Sequence, residues 1–229
     1  MFIDTSLLSA SRSQRLVVLE PSRTEPVGGT SKRVVDVLVA FTCLVLLAPL
    51  MIIIAGLIKA TMGGPIFYRQ WRVGQNGRTF LCCKFRSMRT DSSERLAALL
   101  ASDAQAAAEW AANQKLKNDP RVTSLGKLLR ESSLDELPQF YNVLIGDMSC
   151  VGPRPIIPEE IERYGRYAKD YFSVRPGITG LWQVSGRNTT TYARRIALDR
   201  YYARSWSMGL DAMIFFRTFK AVLSRDETS

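Results

Sequence analysis

The sequence contains no histidine. That absence removes Ser-His-Asp and Cys-His triads, histidine general bases and histidine-ligated zinc from consideration. Chemistry must then rest on carboxylates, lysine, arginine, hydroxyls or thiols. Cysteine is also scarce: Cys43, Cys82, Cys83 and Cys150 form no CxxC pair. Their spacing predicts four inert thiols in a reducing compartment. DxD metal motifs and internal repeats are missing too. The hydrophobic content is ordinary, which excludes a polytopic channel or carrier.

Positive charge, by contrast, is abundant. Thirty-one Lys and Arg against 21 Asp and Glu give a formal net charge of +10. Such a balance suits nucleic acid, an anionic membrane or a polyphosphate substrate, and charge alone does not choose among them. At 229 residues the chain can bury one domain core with an appended element.

Three regions are visible. Residues 1–31 are rich in Ser, Thr, Pro and Gly without periodicity, and read as a flexible arm. Residues 32–59 hold an apolar run in which Val37 to Ile58 carry no charge, about the 20 residues a membrane helix needs. Pro49 interrupts the run, deleting one backbone donor and clashing with the preceding turn. Both flanks are basic, with Lys32 and Arg33 before it and Lys59, Arg69 and Arg72 after it, which favours keeping both ends in the cytoplasm. The two tendencies together predict a re-entrant, proline-broken helix over a spanning one. Residues 60–229 are soluble in character.

Within that last region, Ile66–Tyr68 and Thr79–Phe85 read as strands around the Gly74-Gln75-Asn76-Gly77 turn. Ser93 to Lys117 is alanine-rich and predicts one helix. A further helix is expected from Gln139 to Ile145, stopped by Gly146. Leu210 to Leu223 is amphipathic, with Ile214, Phe215, Phe219, Val222 and Leu223 on its apolar side. Packing on the core and lying on the bilayer both fit that helix, and Trp206 and Met208 favour the bilayer.

The chemical candidates centre on Ser133-Leu134-Asp135-Glu136-Leu137-Pro138. Ser133 with Glu136 fits a capping box, and Pro138 suits a first helical turn, so a helix cap accounts for the acids by itself. Their surroundings argue for more. Arg130 stands just upstream and Pro153-Arg154-Pro155 just downstream, where two fixed prolines present one guanidinium. Two adjacent carboxylates repel, and a divalent ion shared with a substrate diphosphate would relieve them. Mg²⁺ bound through Asp135 and Glu136 is the expected cofactor.

Lys84-Phe85-Arg86-Ser87-Met88, Asn118-Asp119-Pro120-Arg121, Leu134-Asp135-Glu136-Leu137-Pro138-Gln139, Gly152-Pro153-Arg154-Pro155 and Arg175-Pro176-Gly177, continuing to Gln183-Val184-Ser185-Gly186-Arg187, occur in one order. That ordered set resembles the bacterial sugar transferase family, the monotopic polyprenyl-phosphate phosphoglycosyl transferases, from about Lys32 to the C-terminal helix. The resemblance implies an α+β, mainly helical fold. In it, a re-entrant membrane helix leads into a compact cytoplasmic catalytic domain with amphipathic interfacial helices. It further implies transfer of a sugar-1-phosphate from a UDP-sugar to undecaprenyl phosphate with release of UMP, at the bacterial inner membrane, as the first membrane step of exopolysaccharide assembly. Galactose is the expected sugar, with glucose as rival.

By the same resemblance Asp135 matches the nucleophile that carries a covalent phosphosugar, and Glu136 its acidic partner. Lys84, Arg86, Arg121, Arg130, Pro153, Arg154, Pro155, Gln183 and Arg187 match substrate-binding positions, and Ala48-Pro49 matches the break in the membrane helix. Many relatives have serine where Ala48 stands, and longer relatives carry an additional N-terminal membrane bundle. Implied partners are the two substrates, inner-membrane lipid and downstream glycosyltransferases, with no nucleic acid. A nucleotide-sugar glycosyltransferase releasing UDP and a basic, non-enzymatic binding protein are the alternatives by class.

Overall fold

The structure is a computed structural model, and it describes residues 25–113, 116, 119–186 and 190–223. Arg187, Asn118, Lys117 and most of the arm lie outside the described residues. So do the side chains of Phe219, Val222 and Leu223.

The apolar run is the centre of a 34-residue helix, α1 (Gly29–Met62), with Pro49 inside it. The helix continues through the proline, which costs one hydrogen bond without ending the turn-by-turn pattern. Both ends are anchored to the rest of the chain, and the middle is not. Near the start, Lys32 is buried against Asp211, Asp36 Oδ1 accepts from Ser149 Oγ (3.0 Å) and the Cys150 amide (2.9 Å), and Ala40 is fully buried. Near the end, Ile54 and Ile58 pack with Phe85 and Leu129. Between them Phe41, Val45, Leu46, Ile52 and Ile53 are exposed, Leu46 and Ile52 by 72%. A soluble core helix does not leave such a belt uncovered.

The expected hairpin is present: β1 (Phe67–Val73) pairs antiparallel with β2 (Thr79–Phe85) across the glycine turn. The alanine-rich stretch forms two helices rather than one, α2 (Ser92–Ser102) and α3 (Ala104–Asn113). Asp103 causes the division. Its Oδ1 accepts from the amides of Gln105 and Ala106, and so starts a second helix where the first could have continued. Then follow α4 (Ser124–Glu131), a 3₁₀ turn (Leu134–Glu136) and α5 (Gln139–Ile145). Helix α5 ends at Gly146 as expected, with φ 98° and its amide on the last carbonyls.

A second, parallel pair joins β3 (Ser149–Val151) to β4 (Gly177–Thr179), with short helices α6 (Ile161–Tyr164) and α7 (Ala168–Phe172) between them. Helices α8 (Tyr192–Arg204) and α9 (Met208–Leu223) complete the domain. The C-terminal helix packs on the core rather than floating free. Ile214 is fully buried, Asp211 accepts from Tyr202 Oη (2.6 Å), and Trp206 Nε1 donates to it (3.0 Å). Trp206 is thus half-buried, with its indole packed against the core cluster. Phe216, 72% exposed, is left for the outer side. The result is α+β and mainly helical, as anticipated.

Candidate active site

The acid pair is placed by a reversal of the chain after α4. Ser133 adopts φ 57°, a left-handed conformation that a non-glycine residue enters at a cost of about 1–2 kcal/mol. Its side chain caps nothing, so the expected capping box is absent. Instead the Glu136 side chain leaves the helix start and accepts from Lys84 Nζ on β2. The capping pattern in the sequence therefore has a different physical cause: the turn is held by backbone bonds, including the Glu136 amide on the Ser133 carbonyl (3.2 Å).

The two acids have opposite environments. Asp135 is 8% exposed; burial, with the Glu136 charge beside it, pushes its carboxyl up to about 6 against the pull of Lys84, Arg130 and Arg154. Glu136 also loses water, but the Lys84 and Arg154 charges and hydrogen bonds from Lys84 and Gln139 outweigh that and hold it at about 2. One acid is a fixed anion. Its neighbour titrates close to physiological pH, the division expected of a worked pair of carboxylates.

A narrow, solvent-open cleft lies beside Glu136, with Asp135 next to it in the chain rather than in its lining. Four separate parts of the chain line it: Arg72 from β1, Cys82 and Lys84 from β2, Glu136 and Gln139 at the start of α5, and Arg154, Pro155, Ile178 and Gln183 around β3 and β4. The Pro-Arg-Pro and Arg-Pro-Gly motifs are bound to one another here. Gly177 N donates to Pro153 O (2.8 Å), Gly152 N donates to Thr179 O (2.8 Å), and a Cβ on Gly177 would stand 2.1 Å from Gly152 N. Glycine at both places lets the two backbones approach and sets Arg154 over the cleft.

Of the residues named from sequence, Lys84, Glu136, Arg154, Pro155 and Gln183 line the cleft, and Pro153 supports it. Arg130 lies on the Asp135 side, its charge acting on that acid while Nε donates to Ser87 Oγ (2.8 Å). Arg86 is elsewhere. Its guanidinium is buried under the end of α1, donating to the Met62 and Gly63 carbonyls, a helix cap rather than a substrate contact. Arg121 is engaged by Asp119 through a forked pair (2.7 and 2.8 Å) and lies 4.8 Å over the Trp110 ring. Arg72 and Gln139 were not anticipated; only the strand register and the helix phase bring them in.

All four cysteines are free, and burial raises Cys82 to about 11 and Cys150 further, which disfavours their thiolates. For a metal, among the described residues no cluster of three or more Cys, Asp and Glu side chains exists. The donor set of two hard carboxylates fits Mg²⁺ only where substrate phosphates complete the shell.

The chain matches the bacterial sugar transferase family over residues 27–225. It is 47% identical over 221 residues to the exopolysaccharide production protein ExoY of Sinorhizobium fredii, an alignment covering 95% of this chain and 98% of that one. It is 50% identical over 196 residues to the undecaprenyl-phosphate galactose phosphotransferase of Salmonella typhimurium, 85% of this chain and 41% of the relative. The UDP-galactose-lipid carrier transferase of Erwinia amylovora is 47% identical over 195 residues, 85% and 41% respectively. Matched over residues 27–225 and nearly half identical to relatives along almost its whole length, this chain belongs to the bacterial sugar transferase family.

Proposed function

We propose that the protein transfers galactose-1-phosphate from UDP-galactose to undecaprenyl phosphate at the cytoplasmic face of a bacterial inner membrane. The observation that carries this reading is the buried Asp135 beside a cleft of cations, in a chain nearly half identical to proteins named for undecaprenyl-phosphate galactose transfer. Supply of the first lipid-linked sugar to downstream glycosyltransferases of exopolysaccharide assembly follows from the likeness to ExoY.

The chemistry is a two-step displacement. An ionised Asp135 oxygen attacks the sugar-bearing phosphorus, and the bond to the bridging oxygen breaks. UMP leaves with the electron pair, and an aspartyl-phosphosugar remains. An oxygen of undecaprenyl phosphate then attacks the same phosphorus, the Asp135–phosphorus bond breaks, and the carboxylate is regenerated. Neither step needs a histidine, because the nucleophiles are already anions and the demand is for positioning and charge neutralisation. Arg130 and Arg154, whose charges both act on Asp135, provide that neutralisation. Lys84 keeps Glu136 ionised and immobile, so Glu136 contributes a permanent negative charge rather than a proton. Mg²⁺ held by Asp135, Glu136 and the phosphates would neutralise the diphosphate further.

Detergent-purified protein with UDP-galactose labelled in the β-phosphate and sugar is expected to retain covalent label, and Asp135→Asn is expected to lose label and UMP release by about a thousandfold or more. Full turnover by that variant would end the covalent mechanism. UDP in place of UMP as product would favour direct glycosyl transfer, and faster use of UDP-glucose would correct the sugar.

A further inference from the structure

One guanidinium in the cleft has no role in the mechanism above. Alternation along β1 puts Tyr68, Gln70 and Arg72 on one face of the hairpin, across from Lys84, Cys82 and Phe80 respectively. Arg72 therefore belongs to the same pleated face as Lys84, and both line the cleft. Two neutral acceptors orient it: Pro155 O receives Nη1 (3.1 Å) and Gln70 Oε1 receives Nη2 (2.6 Å).

Those bonds orient the group; the Glu160 carboxylate acts on its charge from beyond ion-pair distance, and Arg154 opposes it. Among the described residues, no carboxylate stands within ion-pair distance of Arg72 or Arg154, whereas the cleft's own carboxylate, Glu136, is taken by Lys84. Burial lowers the Arg72 pKa and the Arg154 charge lowers it further, so the two guanidiniums are close enough to repel. Paired guanidiniums without a carboxylate between them are a receptor for a phosphate. The groups on which each charge acts separate their roles. The Arg154 charge acts on Asp135, on Glu136 and on Arg72, and both guanidiniums line the cleft with Glu136; the principal cations acting on Asp135 are Lys84, Arg130 and Arg154. An in-line displacement puts its leaving group opposite the nucleophile, and Arg72 is the cleft guanidinium that is not among the main charges acting on Asp135.

We infer that Arg72 is a direct ligand of the nucleotide's phosphate, the one that departs as UMP, with Arg154 bridging between it and the phosphorus under attack. The inference rests on the reading of the cleft as a UDP-sugar site, but its test needs no turnover. Binding of UMP and of uridine is measured by equilibrium dialysis on intact, detergent-solubilised protein. Arg72→Gln is expected to weaken UMP about tenfold or more and to leave uridine within about twofold, with Arg72→Lys in between. Equal losses for UMP and uridine, or no loss for either, would overturn it.

A double variant distinguishes contact from support, since Arg72 also holds the Pro155 carbonyl. In an Arg154→Gln background, Arg72→Gln is expected to weaken UMP again; no further loss would make Arg72 a positioning residue only, and the inference would fail. The half-reactions give a second readout. Covalent labelling by UDP-sugar should slow about a hundredfold in Arg72→Gln, whereas discharge of preformed phosphosugar-enzyme to undecaprenyl phosphate should change by less than about threefold. Equal slowing of both would also overturn it. Wild-type protein that binds UMP but never takes label would count against the covalent step and leave the Arg72 assignment standing.

Discussion

At the scale of single residues, the consequential fact is that burial raises Asp135 to about 6 while Lys84 and Arg154 keep its neighbour near 2. A carboxylate nucleophile works only when ionised, so covalent labelling should fall roughly tenfold per pH unit below about 6 and level off above it. Stability has the opposite sign. Because the folded pKa is raised, the folded state holds the Asp135 proton more tightly than the unfolded chain. The protein is therefore penalised as pH rises from about 4 to about 6 and stays so above that. Asp135→Asn removes a penalty on the order of 3 kcal/mol at pH 7 and should melt several degrees higher there, with the advantage gone below about pH 4. Thermal melts of both forms at pH 4 and pH 7.5 test this; an unchanged or lower Tm for the variant at pH 7.5 would refute it. The sequence named Asp135 and Glu136 as a pair but could not divide their work. That division depends on Lys84, 52 positions upstream in the chain, reaching Glu136 across a hairpin.

At the scale of elements, local patterns were legible wherever the determinant was local. The hairpin turn, α5 and its glycine stop all lie where the spacing predicts them. Misreadings arose where one side chain had two possible partners. Asp103 could have sat harmlessly mid-helix and instead caps a new one. Glu136 could have closed a capping box and instead reaches Lys84, and Arg86, next but one to Lys84, points the other way because strand residues two apart share a face only while the strand lasts. Arg72 was invisible for a similar reason, since its value depends on register. The glycines of the two Pro-containing motifs stand out in the sequence as a pattern, and the fold supplies their cause. A Cβ at Gly177 would lie 2.1 Å from Gly152 N and 2.5 Å from Thr179 O. Gly177→Ala should accordingly force β3 and β4 apart, cost about 2–3 kcal/mol, and displace Arg154. A drop in Tm accompanied by weaker UMP binding is expected; a stable variant with unaltered binding would show that the close approach does not position the arginine.

For the whole molecule, the question is how α1 meets the bilayer. If straight, the stretch from Asp36 to Ile58 would be roughly 33 Å long, about the thickness of a hydrocarbon core, and a spanning helix would put its two anchored ends on opposite faces. Yet Asp36 is bonded to Ser149 and Cys150, Ile58 packs on Phe85 and Leu129, and α5 runs between the two regions, with the Val143 and Leu144 carbonyls on Arg33 and adjacent Leu137 against the Ile54–Ile58 cluster. One folded domain holds both ends, while the exposed apolar belt lies between them around Pro49. A helix that dipped into one leaflet and returned would keep both anchors in one domain, and Pro49 is where a bilayer would let it bend. Exposed Ser31 and Thr61 mark the two ends. In a background with Cys43, Cys82, Cys83 and Cys150 replaced, Ser31→Cys and Thr61→Cys should both react with an impermeant maleimide in inverted membrane vesicles and neither in sealed right-side-out vesicles. Opposite sidedness for the two positions would establish a spanning helix and require one of the two anchored ends to leave the domain. Pro49→Ala supplies the physical control: restoring the missing donor should straighten α1, pull at least one anchor away, and lower activity without touching any residue of the cleft.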